Sequence, residues 1–500
     1  MQKIYYGIDF GNTNTTVVQL LEDPLENKIV PLGEDGQPFP SILAINKETG
    51  TVLYGREVKM RRQKLASDHV IITSFKSRLG TDRVEKIAGE EYTALRLTAL
   101  LLRSIKDYIK KHNDVDIQEA VFSVPVEFNG KQRQELRQAA EQAGIVVKGF
   151  VSESTAAYIG CTKELAGYSK VAVFDWGGGT LDISVLEREG SRLKELAVSG
   201  KNLGGDKLDY ILAQKVHGQL ASQYALDTFD LMSAENRDNM LERCETSKID
   251  LSEEDFSRFN LIDYGPIKHV RVSVDLNEFT QLITPQVKEA AQMLEDTLIQ
   301  AECFAQLDAV LMVGGSSNIQ AIRYIIESSF ESKNIAVVHP DQAQWVAAKG
   351  AALIATLNSG YLLERGIGVL LADDSFHPVI PKGTPVPCSS NEIRFGVVED
   401  TTSANIIIVN DKKRHLRVET MPVKGFTSEG IKISATINED LITTIKMEST
   451  QYLDKTKYVQ LSSVELSYDL DIKIQELNTP MPSPKAGSKC SYRDCHGTVY

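Results

Sequence analysis

The chain has 500 residues, enough for roughly three or four structural units at ordinary domain sizes. Its 42% apolar and 25% charged residues match the globular average and exclude a collagen-like, coiled-coil or wholly disordered chain. A balance of 55 basic against 68 acidic residues, net −13, opposes wholesale binding to a phosphate backbone, so nucleic acid is not expected as a partner. No run of about 18 apolar residues is present, so no membrane span is expected. The N-terminal MQKIYYGIDFGNT also lacks the apolar stretch of a secretory leader. Six scattered cysteines (161, 244, 303, 388, 490 and 495) form no disulfide framework, which points to a reducing, cytoplasmic setting.

Four segments share one grammar, a β-rich run followed by a Gly/Ser/Thr/Asp turn. They are 4–18 (IYYGIDFGNTNTTVV), 120–125 (AVFSVP), 171–186 (VAVFDWGGGTLDISVL) and 309–322 (AVLMVGGSSNIQAI). The first and third form a cryptic repeat, in which an apolar run carries an Asp, one apolar residue, then Gly and Thr. That spacing predicts duplicated lobes rather than a solenoid, whose repeats are ~20–50 residues. Between the turns, apolar residues at three- and four-residue spacing (Leu95, Leu97, Leu101, Ile105, Ile109) predict a helix over 92–111. A second helix is predicted over 130–143, stopped by Gly144, and Thr284-Pro285 reads as the start of a third that runs to about Glu302. Mixed strands and helices up to residue 358 indicate an α/β unit. From 368 to 470 the grammar becomes short β-branched runs bounded by turns (404–410, 430–438, 441–448 and 458–466), which predicts a separate all-β unit, with 359–367 as linker. The Pro-rich, weakly apolar stretch 471–500 reads as a disordered tail. Its Cys490 and Cys495-His496 fall short of the four ligands a closed metal site needs. Trp176, Trp345, Cys161, Cys244 and Cys303 are expected in the core.

The repeated turns carry the chemistry. Glycine lets backbone N–H groups approach a phosphate, Thr13 and Thr180 add hydroxyls, and Asp9 and Asp175 at the strand ends can hold Mg²⁺ directly or through water. Two such hairpins facing each other grip a triphosphate from both sides. The chain has no G-x-x-x-x-G-K-[ST] and no G-x-G-x-x-G, so neither a Walker-type nor a dinucleotide site is expected.

These motifs resemble the actin, sugar-kinase and heat-shock superfamily, and over about residues 3–470 specifically its 70-kDa heat-shock chaperone family. Six motifs carry the likeness in order: GIDFGNTNTTV (7–17), SFKSRLG (74–80), the long stretch 123–160, FDWGGGTLDIS (174–184), LGGDKLD (203–209) and LMVGGSSNI (311–319). The resemblance implies an α/β fold of duplicated actin-like ATPase lobes followed by an all-β sandwich that binds extended polypeptide. It implies ATP or ADP with Mg²⁺ as cofactors, and a J-domain co-chaperone and a nucleotide-exchange factor as partners. Lys76 then resembles the catalytic lysine, with Glu153 and Asp182 matching the acids that order water and metal, and Thr180 a phosphate-contacting threonine. Asp9 and Asp175 match the magnesium-side aspartates. Gly11, Asn12, Thr13, Asn14, Gly177, Gly178 and Gly179 match the phosphate loops. Gly204, Gly205, Asp206, Gly314, Gly315, Ser316 and Asn318 match further nucleotide contacts, and Glu245, Lys248 and Ser252 the adenine and ribose contacts. Pro125 and Arg133 match a relay towards the β domain. Phosphoryl transfer suits such a set, since it needs mainly positioning and charge neutralisation.

The chain also departs from the family pattern. Asn12 stands where Thr is usual, and Asn318 where an Arg usually stacks on adenine, so looser nucleotide binding is expected. Asp341 is not expected to be a ligand. The stretch ATLNSGYLLERG (355–366) lacks the acidic signature of the family's linker. About 30 residues after the β unit are too few for a helical lid, so peptide off-rates are expected to change little between ATP and ADP states. Two alternatives stand beside the chaperone reading: a nucleotide-binding regulator with little turnover, and a small-molecule kinase of the same superfamily.

Overall fold

A computed structural model describes residues 3–470, apart from short stretches at 23–27, 332–334, 358–359, 398–401, 425–428, 453–454 and 462–463. The expected tail, with Cys490 and Cys495, lies outside the described residues. The first 357 residues form two lobes of one plan. In the first, the hairpin Ile4–Phe10 and Asn14–Leu21 pairs in antiparallel fashion, and Glu119–Val124 adds to Ile4–Phe10 in parallel, followed by Val146–Ser152. In the second, the hairpin Lys170–Trp176 and Leu181–Glu189 is joined in parallel by Ala309–Val313 and then Ala336–Val338. Each lobe thus places a hairpin beside a parallel crossover strand, the duplication that the repeated Asp-x-Gly-x-Thr pattern predicts. Such parallel strands are covered on both faces, so they read as near-continuous apolar runs, as Ala309–Val313 does by being buried at all five positions.

Helices pack on these sheets by the expected periodicity. Ala94–Asn113 starts at Thr93, whose side chain accepts the Arg96 N–H, and buries Leu97, Leu101, Ile105 and Ile109 on one face. Each such side chain contributes about 1.5–3 kcal/mol when fully buried. Gly130–Gln142 opens with a capping box between Asn129 and Gln132, and Gly144 follows it with φ of 75°. The third helix corrects the sequence reading. It spans Leu276–Gln300 and starts eight residues before Thr284, because Asp275 caps it by accepting the N–H groups of Asn277 and Glu278. Pro285 lies inside this helix, and Thr284 turns its hydroxyl back to the Thr280 carbonyl at 2.7 Å. Trp176, Trp345, Cys161, Cys244 and Cys303 are buried.

The β unit is two packed sheets. One has the order Phe376–Ile380, Ile367–Leu370, Ser403–Asn410, His415–Pro422. In the other, Cys388–Ser389 and Ile393–Gly396 pair one after the other along one edge of Gly430–Ile437, whose other edge carries Thr443–Ser449 and then Thr456–Leu461. Alternate residues meet in one core, including Ile406, Ile408, Ile433, Ile445 and Met447. Two segments behave differently from a plain linker-plus-sandwich arrangement. Tyr361–Leu363, within the stretch read as linker, is a strand, and so is Leu466–Asp469. Both belong to the sheet of the second lobe. Among the described residues no helix is long and apolar enough to cross a membrane.

Candidate functional site

The two hairpins end in four-residue turns, 11–14 and 177–180, closed by the same hydrogen bond. The Gly11 N–H donates to the Asn14 carbonyl at 3.0 Å, and the Gly177 N–H to the Thr180 carbonyl at 2.9 Å. They face each other across a cleft of about 520 Å³ between the lobes. Two glycines are required there by geometry. A Cβ on Gly178 would lie 2.4 Å from Thr13 Oγ1, so the two turns approach closely. Gly314 has φ of 82°, and its Cβ would fall 2.5 Å from Asp175 Oδ1.

Lys76 enters from a short turn, Lys76–Arg78, and is 4% exposed. Its Nζ donates to Glu153 Oε1 at 2.7 Å and sits between the rings of Phe10 and Phe128, 6.0 and 5.8 Å from their centroids. Burial alone would lower the Lys76 pKa; Glu153 and Asp9 outweigh it and hold the ammonium charged. Glu153 is the first residue of the helix Glu153–Gly160, where the helix dipole favours a carboxylate, and Ser152 caps that helix. Asn12 Oδ1 accepts the Ser77 N–H at 3.1 Å, tying the first turn to the lysine's own turn.

The acids crowd the floor of the cleft. Ser123 donates to Asp9 at 2.8 Å. Burial, then Glu153, pushes Asp9 up to about 6, with Lys76 and Ser123 opposing. Burial and Glu153 likewise push Asp182 up to about 6. Asp175, opposite Asp182 in the hairpin, is raised well above the carboxylate range by burial, then Glu153, Asp182 and Asp9. Four carboxylates against one lysine leave an excess of negative charge that a divalent cation would neutralise, and that excess is the observation that fits Mg²⁺. Among the described residues no group of three or more His, Cys, Asp or Glu converges tightly enough to hold a metal alone. A hard cation here would therefore complete its shell with water and phosphate oxygens, as Mg²⁺ does.

One wall of the cleft comes from the helix Ala234–Asp250, where three-residue spacing puts Glu245 and Lys248 on the same face. Both are held in ion pairs. Lys59 of the first lobe reaches Glu245 at 2.7 Å, and Lys248 reaches the buried Asp209 at 2.7 Å. Burial raises Asp209 to about 7 against the pull of Lys248. Ser252 donates to the Lys248 carbonyl at 3.3 Å.

Nearly all the sequence-predicted residues gather at this cleft: Asp9, Gly11, Asn12, Thr13, Asn14, Lys76, Glu153, Asp175, Gly177, Gly178, Gly179, Thr180, Asp182, Asp206, Glu245, Lys248, Ser252, Gly314, Gly315 and Ser316 all line it. Three do not. Gly204 and Gly205 stand behind the second turn, where the Gly205 and Asp206 N–H groups donate to the carbonyls of Gly177 and Gly178. The Asn318 side chain instead accepts from Arg323 at 2.6 Å. Asp341 is exposed, outside the cleft lining. Sequence reasoning missed Glu127, Phe128, Gln132, Ile249, Ile319 and Gln344, which also line the cleft. The Asn129-x-x-Gln132 capping box was a readable signal for the position of Gln132. Nothing local marked Gln344.

Comparisons with known proteins agree with this geometry. A family model described as Hsp70 protein matches residues 51–450. The chain is 29% identical over 441 residues to the "Chaperone protein DnaK" of Metamycoplasma hominis, covering 85% of this chain and 72% of the relative. The protein of the same name from Mycoplasma mobile is 29% identical over 489 residues, 93% of this chain and 78% of the relative. That from Thermotoga petrophila is 29% identical over 445 residues, covering 85% and 73%.

Proposed function

The chain belongs to the Hsp70 protein family, and from that premise we propose that it is an ATP-dependent chaperone. In this reading it binds ATP with Mg²⁺ between its lobes, hydrolyses it, and holds extended polypeptide on its β unit. The observation that carries the reading is the pair of facing hairpin turns with the Lys76–Glu153 pair, at 2.7 Å, between them. The turns supply backbone N–H groups and hydroxyls for phosphate oxygens. Lys76 offers a fixed positive charge where charge moves during phosphoryl transfer, and Glu153 holds it in place. Mg²⁺, when bound, neutralises phosphate charge beside Asp9, Asp175 and Asp182. Glu245, Lys248 and Ser252 would meet the nucleoside. The β unit offers its sheet edge His415–Pro422, with Val418 exposed, to an extended chain, whose backbone such edges bind. A J-domain protein and a nucleotide-exchange factor are the partners this reading implies, in the cytoplasm.

Phosphate release from Mg-ATP should be measured with and without an extended peptide and a J-domain protein. Stimulation by both supports the reading, and dependence on a sugar instead would sink it. A second reading, a nucleotide-binding regulator with little turnover, is favoured by one observation. Asn318 is committed to Arg323, so no planar cation from that position faces the cleft. Tight Mg-ATP binding without phosphate release under any of these conditions would select that reading.

A further inference from the structure

The sheet of the second lobe does not end with its own strands. Beyond Arg192–Lys201 it continues through Leu466–Asp469, the segment that leaves the β unit, and then through Tyr361–Leu363, the segment that enters it. The exit strand is held on both sides. Arg192, Leu193 and Lys194 pair with Asp469, Tyr468 and Ser467; Tyr361, Leu362 and Leu363 pair with Tyr468, Ser467 and Leu466. The Leu470 N–H donates to the Ser191 carbonyl at 2.6 Å, Asp469 N–H to Gly360 at 2.9 Å and Glu364 N–H to Glu465 at 2.9 Å. On its far side the entry strand is bonded to the β unit, where the Leu363 N–H donates to the Thr384 carbonyl and the Val386 N–H to that of Tyr361.

One face of the exit strand crosses from core to core. Leu466 packs on the core of the sandwich. Tyr468 and Leu470, 3% and 1% exposed, belong to the core that joins the two lobes, with Val151, Val173 and Leu311. The Tyr468 ring meets that of Tyr361 edge-on at 5.3 Å, and the Tyr361 hydroxyl accepts the Ser152 N–H at 2.9 Å, one residue before Glu153. A second contact ties the β unit to the first lobe. Arg137 reaches Asp440 at 2.8 Å, and Ile442 lies against Gly130 so closely that a Cβ there would meet it at 2.2 Å.

We propose that Leu466–Asp469 is a clasp that keeps the β unit docked on the two-lobed unit without nucleotide, with ATP and with ADP alike. Separation would draw Tyr468 and Leu470 out of the core between the lobes and leave two sheet edges open at once, so the docked state cannot be lost by releasing the entry strand alone. The inference does not need ATP turnover.

Amide hydrogen exchange on the full chain tests it, read at Glu364, Asp469 and Leu470 without nucleotide, with Mg-ATP and with Mg-ADP. The expected result is slow exchange that agrees within about twofold in all three conditions. Fast exchange in the free protein, or acceleration of about tenfold or more in any one condition, overturns the clasp. A chain that binds no nucleotide would defeat the proposed function, yet its slow exchange in the free state would still support the clasp. The double variant Tyr468→Ala/Leu470→Ala adds a second arm. The Glu364 amide should exchange at least about tenfold faster in it, and no change there overturns the proposal. If that variant does not fold, the wild-type exchange decides.

Discussion

The two cleft-facing hairpins share a turn and differ in their surroundings. Gly11 and Gly177 close their loops with matching hydrogen bonds, and Asp9 and Asp175 hold matching places two residues before. The first turn is fastened on one side to the lysine's turn through Asn12 and Ser77, and its Asp9 accepts the Ser123 hydroxyl. The second turn is fastened from behind, by the Gly205 and Asp206 N–H groups and the Ser316 hydroxyl on its carbonyls. Asp175 sits opposite Asp182, carboxylate against carboxylate, and burial, then Glu153, Asp182 and Asp9, raises it well above the usual carboxylate range. Duplication supplied a symmetric frame, and the side chains brought to each half made it chemically lopsided. The lysine comes with one turn and the surplus of acid with the other.

That lopsidedness can be broken from either side. The largest effect is expected for Lys76→Ala, which removes the one cation that pairs with Glu153 among the described residues. Single-turnover hydrolysis should fall by roughly 10²–10³-fold, the range for loss of one fixed electrostatic group, with ATP affinity little changed. Equal losses in rate and affinity would mean that Lys76 serves binding alone. Next, Gly178→Ala forces a methyl against Thr13 and should weaken ATP by about tenfold, seen by calorimetry, because overpacking of about 1–3 kcal/mol must be relieved by moving the turns apart. Unchanged affinity would show that the turns need not approach.

The two aspartates sharpen the contrast. Asp175→Asn relieves the crowding with Asp182, whereas Asp9→Asn removes an acid that already has a hydroxyl partner. Both should reduce the gain in ATP affinity that Mg²⁺ provides, by roughly 1 kcal/mol, with protein stability rising more for Asp175→Asn than for Asp9→Asn. Thermal melts in the absence of nucleotide would reverse the assignment if Asp9→Asn gained more stability instead. The smallest effect is expected for Asn12→Ala. Loss of one hydrogen bond of about 1 kcal/mol to the Ser77 N–H should slow turnover a few-fold and leave melting nearly unchanged.

How much of this was legible follows from range along the chain. The hairpins were readable because a strand, an Asp and a Gly/Thr turn are local chemistry, and the duplication repeated the signal. The long helix was readable from Leu97, Leu101, Ile105 and Ile109 for the same reason. The start at Thr284 was misread because proline is usually a helix opener, while the true cap, Asp275, is itself the last residue of a hairpin strand. Lys76 and Glu153, 77 positions apart, could be joined only through family resemblance, since no local pattern links them. The wall residue Gln344 had no signal, and the exit strand Leu466–Asp469 had none that assigned it to the sheet of the second lobe. Strand pairing between Tyr468 and Leu193 spans most of the chain, and short alternating runs look alike whichever sheet receives them. Asn318 was singled out as a departure from the family pattern, but its partner Arg323 could be found only in three dimensions.

The most direct test of the cleft is a calorimetric titration of the wild-type chain with ATP, with Mg²⁺ present and with Mg²⁺ chelated. The expected result is one site per chain whose affinity is strengthened by Mg²⁺, as four acids around one lysine require. No binding under either condition, or binding that Mg²⁺ leaves unchanged, would contradict the assignment of these hairpins to a nucleotide and its metal.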